Sequence, residues 1–340
     1  MASKNSEPIA IIRNPNSTDA AHAGEAIAQL DRHGVAHIDF MTSSADFEQN
    51  VGEIQEFLES LPNEEEKTVI SVAGDGTAAQ VANAIIRNRI AERQKGKREA
   101  PVKVGFLGYG GFGDIDHAHD IHSHDIMDVL SAPTVNRYPL SVEVNGQPWR
   151  HVLAYLTLGF TALAAAEFAT SESREKMQRT PQKLKRARQV QQLGMSYFKY
   201  KHLHLPSFTV NDDPHVYDAS TDIIVANNSY IGGMIKPADT YYDKPYFGYR
   251  ADINVSHVDI PNVKFGVDAL LARAQFERAE TMRIAFKQAA NVLLHHEGEL
   301  DMRDNVRDIF VDKNPADVIK TLHPRGHAAA EAYASSPALK

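Results

Sequence analysis

The sequence predicts an α/β domain built on a parallel sheet, followed by a mainly antiparallel β domain. Three observations predict it. Residues 8–130 alternate short apolar runs with stretches of helical periodicity, the signature of repeated β-α units and a sheet covered on both faces. Beyond Pro133 the alternation stops, and strand-like runs follow one another across turn signals such as Asn145-Gly146 and Asp213-Pro214. The length of 340 residues accommodates two domains at about 100–200 residues each.

In the first domain Pro8–Arg13 reads as a strand and Asp19–Arg32 as a helix. Val35–Met41 and Asp46–Leu61 repeat the unit. Lys67–Ala73, rich in β-branched residues, leads into a helix over Thr77–Ile90 with Val81, Ile85 and Ile86 on one side. Val102–Leu107 is the fourth strand, and a helix follows from about Asp114 to Leu130. In the second domain Val135–Val144 and Val152–Leu158 flank the Asn145-Gly146 turn, and Phe160–Ala169 is a short helix. Ser207–Asn211, Asp222–Ala226, Ala251–Ile260, Thr281–Phe286 and Ala290–His296 are further strands.

Composition removes several function classes. Lys+Arg is 36 and Asp+Glu is 44, a net charge of −8, which argues against nucleic acid as a partner. The absence of cysteine excludes disulfides, thiolate metal sites and a Cys nucleophile, and fits a cytoplasmic protein. Met1–Pro8 has no apolar leader. The longest uncharged apolar stretch, Val152–Ala166, is shorter than the ~20 residues of a membrane span and reads as a buried strand entering a helix.

Parallel sheets bind ligands beyond the carboxyl ends of their strands. The loops after Arg13, Met41, Ala73 and Leu107 are therefore the candidate binding loops. Gly74-Asp75-Gly76-Thr77 joins a strand to a helix. Its glycines let backbone approach a phosphate, and the helix start offers N–H groups and a positive dipole end. Asp75 would be repelled by bare phosphate, so it suggests a metal ion or a hydroxyl nearby. Arg13-Asn14-Pro15-Asn16-Ser17-Thr18, Thr42-Ser43-Ser44 and the Gly108–Asp114 run add three polar or glycine-rich loops at the same edge. Neither a P-loop nor a Gly-x-Gly-x-x-Gly after the first strand is present.

Asn14-Pro15, then Gly74–Thr77 with Val81 and Asn83, resembles the diacylglycerol kinase catalytic family, which includes bacterial lipid kinases and sphingosine kinases. The resemblance continues in order. Gly159-Phe160-Thr161-Ala162 is similar to the family's Gly-Phe-Asp-Ala. Asn227 through Gly232-Gly233, then Pro237 and Ala238, is similar to its Asn-x-x-x-x-Gly-Gly…Pro-x-Ala. Glu297-Gly298-Glu299 is similar to its Asp-Gly-Glu. The resemblance implies a Rossmann-like nucleotide-binding domain over 1–133 and a β-sandwich acceptor domain over 134–307, with the active site between them. It also implies a return to the first domain over 308–323, beginning with a strand at Asp308–Asp312, and a disordered tail over 324–340.

It implies, too, transfer of the ATP γ-phosphoryl group to a lipid hydroxyl with Mg2+. Asn14, Thr42, Gly74, Asp75, Gly76, Thr77, Gly110 and Gly111 would hold ATP, with Asp75 near the phosphates or the metal. Glu299 would accept the hydroxyl proton, with Glu297 and Asp75 as alternatives. A homodimer is compatible with the family.

The departures from the family pattern set out the competing readings. Ala73 stands for a glycine, Gln80 for a helix glutamate and Glu297 for aspartate. Gly110-Gly111-Phe112-Gly113-Asp114 stands for Gly-Thr-Gly-Asn-Asp. The family's structural-metal segment is reduced to the surroundings of Asp243-Lys244-Pro245. A nucleotide- or lipid-binding member without turnover is one alternative, and a soluble-acceptor kinase of the NAD kinase type is another.

Two clusters lie outside these motifs. His117, His119, His122 and His124 among aspartates read as a solvated helix start, with a metal site as the alternative. Arg174–Lys201 holds nine Lys/Arg and one acid. It reads either as a solvated helix packed through Leu184, Ala187, Val190 and Leu193, or as a peripheral contact with an anionic membrane at the inner face.

Overall fold

The computed structural model describes residues 8–17, 20–44, 46–62, 66–97, 101–108, 115, 125–211, 213–228, 231, 235, 237–239, 241–255 and 274–323. The side chains at 20–22, 171, 174, 177, 178, 182, 183, 185, 186, 189 and 190 are outside that description. The chain divides into two compact units. One runs to Tyr138 and resumes at Ala316; the other is Pro139–Pro315.

The first unit begins β1 (Ile9–Arg13), α1 (Ala20–Arg32), β2 (His37–Met41), α2 (Phe47–Ser60), β3 (Lys67–Ala73), α3 (Asp75–Gln94) and β4 (Val102–Gly108). The short helix α4 (Ile126–Leu130) and β5 (Thr134–Arg137) follow. With β15 (Ile319–Leu322) they form a six-stranded sheet in the order β2-β1-β3-β4-β15-β5. Its pairings are parallel except for β5, which runs antiparallel to β15. The inner strands β1, β3 and β4 are near-continuous apolar runs, as burial on both faces requires, whereas the edge strand β2 is largely exposed. Ile11, Ile70, Val72 and Leu107 share a core with Ala26 and Leu30 of α1 and Val129 of α4. Gly105 is needed for this packing, because a Cβ there would stand 2.5 Å from Ile70 Cδ1 and 2.7 Å from Val129 Cγ1.

Helix α3 starts at Asp75 rather than Thr77 and extends past Ile90 to Gln94. Its residues from Thr77 to Ile86 are all buried, and the alanines among them permit close packing on α2 and β3. Arg87 pairs with Glu48 of α2 at 2.6 Å. Arg89 donates to the Val318 carbonyl and Arg93 to that of Ala316 at 2.9 Å, so the basic end of α3 fastens the segment that leads into β15.

The second unit contains β6 (Leu140–Val144), β7 (Gln147–Val152), β8 (Tyr155–Gly159), α5 (Phe160–Ala169), α6 (Ser171–Arg179) and α7 (Gln182–Tyr200). Then come β9 (Phe208–Val210), β10 (Asp222–Ala226), β11 (Phe247–Ile253), β12 (Glu277–Ala279), β13 (Thr281–His296) and β14 (Glu299–Asp312). They make a nine-stranded sheet in the order β12-β11-β10-β8-β13-β14-β6-β7, with β9 on β13. All its pairings are antiparallel. One apolar core collects Leu140, Leu158, Val225, Phe247, Leu294 and Ile309 among others.

Several expected elements are corrected. Val135–Val144 is not one strand. Tyr138-Pro139 interrupts it, and β5 and β6 belong to different sheets; proline lacks the N–H that a ladder needs. The helix expected over Asp114–Leu130 is not continuous, because Asp125 is extended and caps α4 by accepting from the Met127 N–H. Thr281–Phe286 and Ala290–His296 are one strand with register shifts, where exposed Lys287, Gln288 and Ala289 hide the periodicity. Asp308–Asp312 does not return to the first unit. It ends β14, with Ile309 and Val311 in the second core, and β15 is the returning strand.

The expected strand Ala251–Ile260 begins earlier, at Phe247, and its described part ends at Ile253. Arg174–Lys201 is two helices broken at Thr180-Pro181, and Leu184 is exposed rather than packed.

Candidate active site

Parallel register places the ends of β1, β2, β3 and β4 along one edge of the first sheet, with Arg13 beside Met41 and Val72, and Ala73 beside Gly108. The loops after these strands therefore share that edge. Gly74 caps α3 in an extended conformation and without a capping side chain, so the first turn of a 20-residue helix carries its dipole to the loop. The Asn14 amide donates to Thr77 Oγ1 at 3.1 Å, while its Oδ1 accepts from the Asn16 N–H at 2.8 Å. Ser17 Oγ accepts from the Gly74 N–H at 3.4 Å. Thr77 and Ser17 thus each accept a bond and keep a hydroxyl proton to give. Asp75 Oδ1 accepts from the Ile115 N–H at 3.0 Å, tying the segment after β4 to the start of α3.

Thr42 is buried, and both its N–H and its hydroxyl donate to the Arg13 carbonyl, so it fixes the loop. The guanidinium of Arg13 turns to Asp39 of β2. Glu53 of α2 accepts from the hydroxyl and N–H of Ser43, bonds that hold its carboxyl below the ordinary value. Asn50 joins the Ser44 backbone to Gln80 of α3 at 3.3 Å. Gln80 is thus matched by a neutral amide. Gly110, Gly111 and the His117–His124 cluster lie outside the described residues.

In the second unit, Glu297-Gly298 is the two-residue turn between β13 and β14, with φ of 43° and 81° and the pair His296–Glu299 closing it. Glutamate is rare at such a φ. Its carboxylate compensates by accepting from the Ala154 N–H and from His296 Nδ1 at 2.7 Å. His296 Nε2 accepts from Arg150 at 2.9 Å, which assigns the imidazole proton to Nδ1. Asp301 continues the chain, accepting from Trp149 Nε1 at 2.8 Å and Arg303 Nε at 2.9 Å. Glu297 is 1% exposed and both its oxygens are engaged in the interior, whereas Glu299 is half-buried at the start of β14. Of the two carboxylates, Glu299 is the more exposed.

The same backbone joins a second motif. Asn227 donates its amide to the Leu153 carbonyl and its N–H to that of Ala154, both at 2.8 Å. Asn227 and Glu297, seventy residues apart in the chain, therefore meet at Leu153–Ala154. Gly159 has φ +88°, and a Cβ there would lie 2.2 Å from the Thr221 carbonyl oxygen. This turn lets Thr161 donate its N–H and hydroxyl to Asp222, whose carboxyl is pushed up to about 8 by burial. Near Asp243, Lys313 buries its ammonium against the carbonyls of Tyr241, Lys244 (3.0 Å) and Tyr246 (2.9 Å). Sequence reasoning missed Asn50, Asp222, His296 and Lys313. None sits in a recognisable spacing, because their partners come from other elements.

Each unit thus has its own polar feature: a donor-lined helix start on the parallel sheet of the first, and a carboxylate turn on the antiparallel sheet of the second. Residues 8–137, which include Asn14, Thr42 and Gly74–Thr77, match the family model of the diacylglycerol kinase catalytic domain. Among solved structures it is similar to a "putative diacylglycerol kinase from Bacillus anthracis str. Sterne". The TM-score is 0.57 at 14% identity, covering 95% of this chain and 98% of that one, a likeness of fold. No curated protein matches the chain.

Proposed function

We propose that the chain is an ATP- and Mg2+-dependent lipid kinase that phosphorylates a hydroxyl of a diacylglycerol-like or sphingoid lipid. The observation that carries this is the donor set at the start of α3. Asn14, Ser17, Thr77 and the helix amides suit the oxygens of a polyphosphate, and they lie within the family segment. Mg2+ would neutralise charge on the transferring phosphoryl group. Asp75 is the acidic residue at this turn, and among the described residues no three His, Asp or Glu side chains form a cage. The metal would accordingly arrive on the phosphates, with Asp75 as its protein contact.

In the reaction the acceptor oxygen bonds to the γ-phosphorus and the bond to the β–γ bridging oxygen breaks. ADP leaves with that electron pair, and Glu299 takes the hydroxyl proton. The β-sandwich form of the second unit, a cytoplasmic location and a homodimer belong to the same reading. Among the described residues no helix is long and apolar enough to cross a membrane.

Purified chain incubated with ATP, Mg2+ and separate diacylglycerol, sphingoid and NAD acceptors tests the proposal. A phosphorylated lipid supports it. NADP formation would make it a soluble-acceptor kinase, and ATP binding without product an inert binder. Asn14→Ala should weaken ATP binding by roughly tenfold, the loss of one to two hydrogen bonds; unchanged affinity would remove the α3 cradle from the site.

A further inference from the structure

The face of α7 that points away from the second unit carries an apolar stripe. Leu184, Met195 and Phe198 are 56%, 66% and 72% exposed, and Leu203, just past the helix, is 52% exposed. With exposed Ala187 and Gln191 they recur at intervals of three and four residues, so they share one side of the helix. The opposite side is fastened. Gln192 donates to the Glu167 carbonyl and to Ser173 Oγ, Lys199 and Tyr200 both bond the Glu167 carboxylate, and Tyr197 packs edge-on to Phe160 at 6.5 Å. The stripe is thus held outward by the anchoring of the inner face.

Charge selects what would cover it. Residues 182–201 hold six Lys/Arg and no Asp or Glu, in a chain whose net charge is −8. The Lys201 ammonium lies over the rings of Tyr197 and Phe198, at 5.8 and 5.6 Å, so a cation stands beside the most exposed aromatic of the stripe. An apolar side flanked by bases is the composition of a helix lying in the headgroup layer of an anionic bilayer, its apolar side chains entering the acyl boundary.

We propose that α7 docks the protein on an anionic lipid surface, with Leu184, Met195, Phe198 and Leu203 entering it and the surrounding Lys/Arg meeting the headgroups. This deepens the lipid-kinase reading by naming the surface on which the substrate is met, but its test needs no nucleotide.

The full chain is sedimented with vesicles of phosphatidylcholine alone and of phosphatidylcholine with 30% (about a third) phosphatidylglycerol. The wild type should bind the anionic vesicles, and salt should weaken that binding. Met195→Ser with Phe198→Ser should lower the bound fraction roughly tenfold while circular dichroism stays unchanged. Lys201→Glu, which leaves the stripe intact, should weaken binding to anionic vesicles only. Equal binding to neutral vesicles, or binding indifferent to both variants, overturns the proposal. A wild-type dimer that the double serine variant dissociates also overturns it, since the stripe would then be an interface between two copies. Vesicle binding without phosphorylation of any lipid would sink the kinase reading and leave this one standing.

Discussion

At the scale of single residues, the two carboxylates of the Glu297-Gly298-Glu299 turn separate by burial. Glu297 closes a buried network with Ala154, His296 and Arg150, so Glu297→Gln replaces an acceptor with a donor facing other donors. It should lose about 1–3 kcal/mol of stability, read as a lowered denaturant midpoint. Glu299→Gln should leave that midpoint near the wild type and lower turnover ~10²–10⁴-fold with ATP affinity retained. The reverse pattern would exchange their roles.

Asp222 makes a pH prediction. Its carboxyl is raised by burial from 3.8 to about 8, so the folded chain keeps a proton that the unfolded chain releases. Stability from this group is fully present below about pH 4 and is lost as pH rises towards about 8. Asp222→Asn keeps a neutral partner for Thr161 and should flatten the fall in melting temperature across that window. His295, buried and held down at about 3, works in the opposite sense, losing stability as pH falls below 6.5. An unchanged slope in the Asn variant would show that Asp222 is ionised in the fold.

At the scale of elements, legibility followed the range of the interactions. Strands β1, β3 and β4 and helices α1 and α2 can be read because each buries an apolar face of its own, and Gly74–Thr77 because a strand-to-helix turn is local chemistry. What could not be read depends on distant partners. The sheet chosen by Thr134–Arg137 depends on β15, more than 180 residues away, and the role of Glu297 depends on Leu153–Ala154 folding back against it. Leu184 reads as a packing residue although it is exposed, because apolar spacing alone does not say which side of a helix finds a neighbour.

Lys313 shows the same limit. Nothing near it in sequence announces that its ammonium will fasten the loop from Tyr241 to Tyr246 by three carbonyls. Its ammonium fills a cation's place among these carbonyls. Lys313→Met should cost about 2–3 kcal/mol in thermal unfolding, the worth of charged hydrogen bonds, whereas a chelator added to the wild type should shift nothing. A wild-type melting temperature that drops in chelator would show that a metal shares the loop.

At the scale of the molecule, the chain leaves the first unit after Tyr138 and re-enters it at Ala316, so residues 8–137, the stretch that matches the family model, do not make a complete sheet. Strand β15 lies between β4 and β5 and is the strand to which β5 pairs. Leu322 contributes to the core of α1 and β3, and the approach to β15 is held by Arg89 and Arg93 from α3. Ending the chain at Tyr138 would strip β4 of its partner on one side and leave β5 unpaired. It would also expose Leu107, Val129 and their neighbours where Leu322 packs. An open, apolar parallel edge of this kind templates association between chains. The truncated chain should therefore be recovered as aggregate, and restoring residues 316–323 as a separate peptide should raise the soluble fraction by filling the vacant lane. If the chain ending at Tyr138 were monomeric and melted as cooperatively as the whole protein, β15 would be a decoration on the first unit rather than part of its sheet, and the donor-lined start of α3 would be independent of the second crossing of the chain.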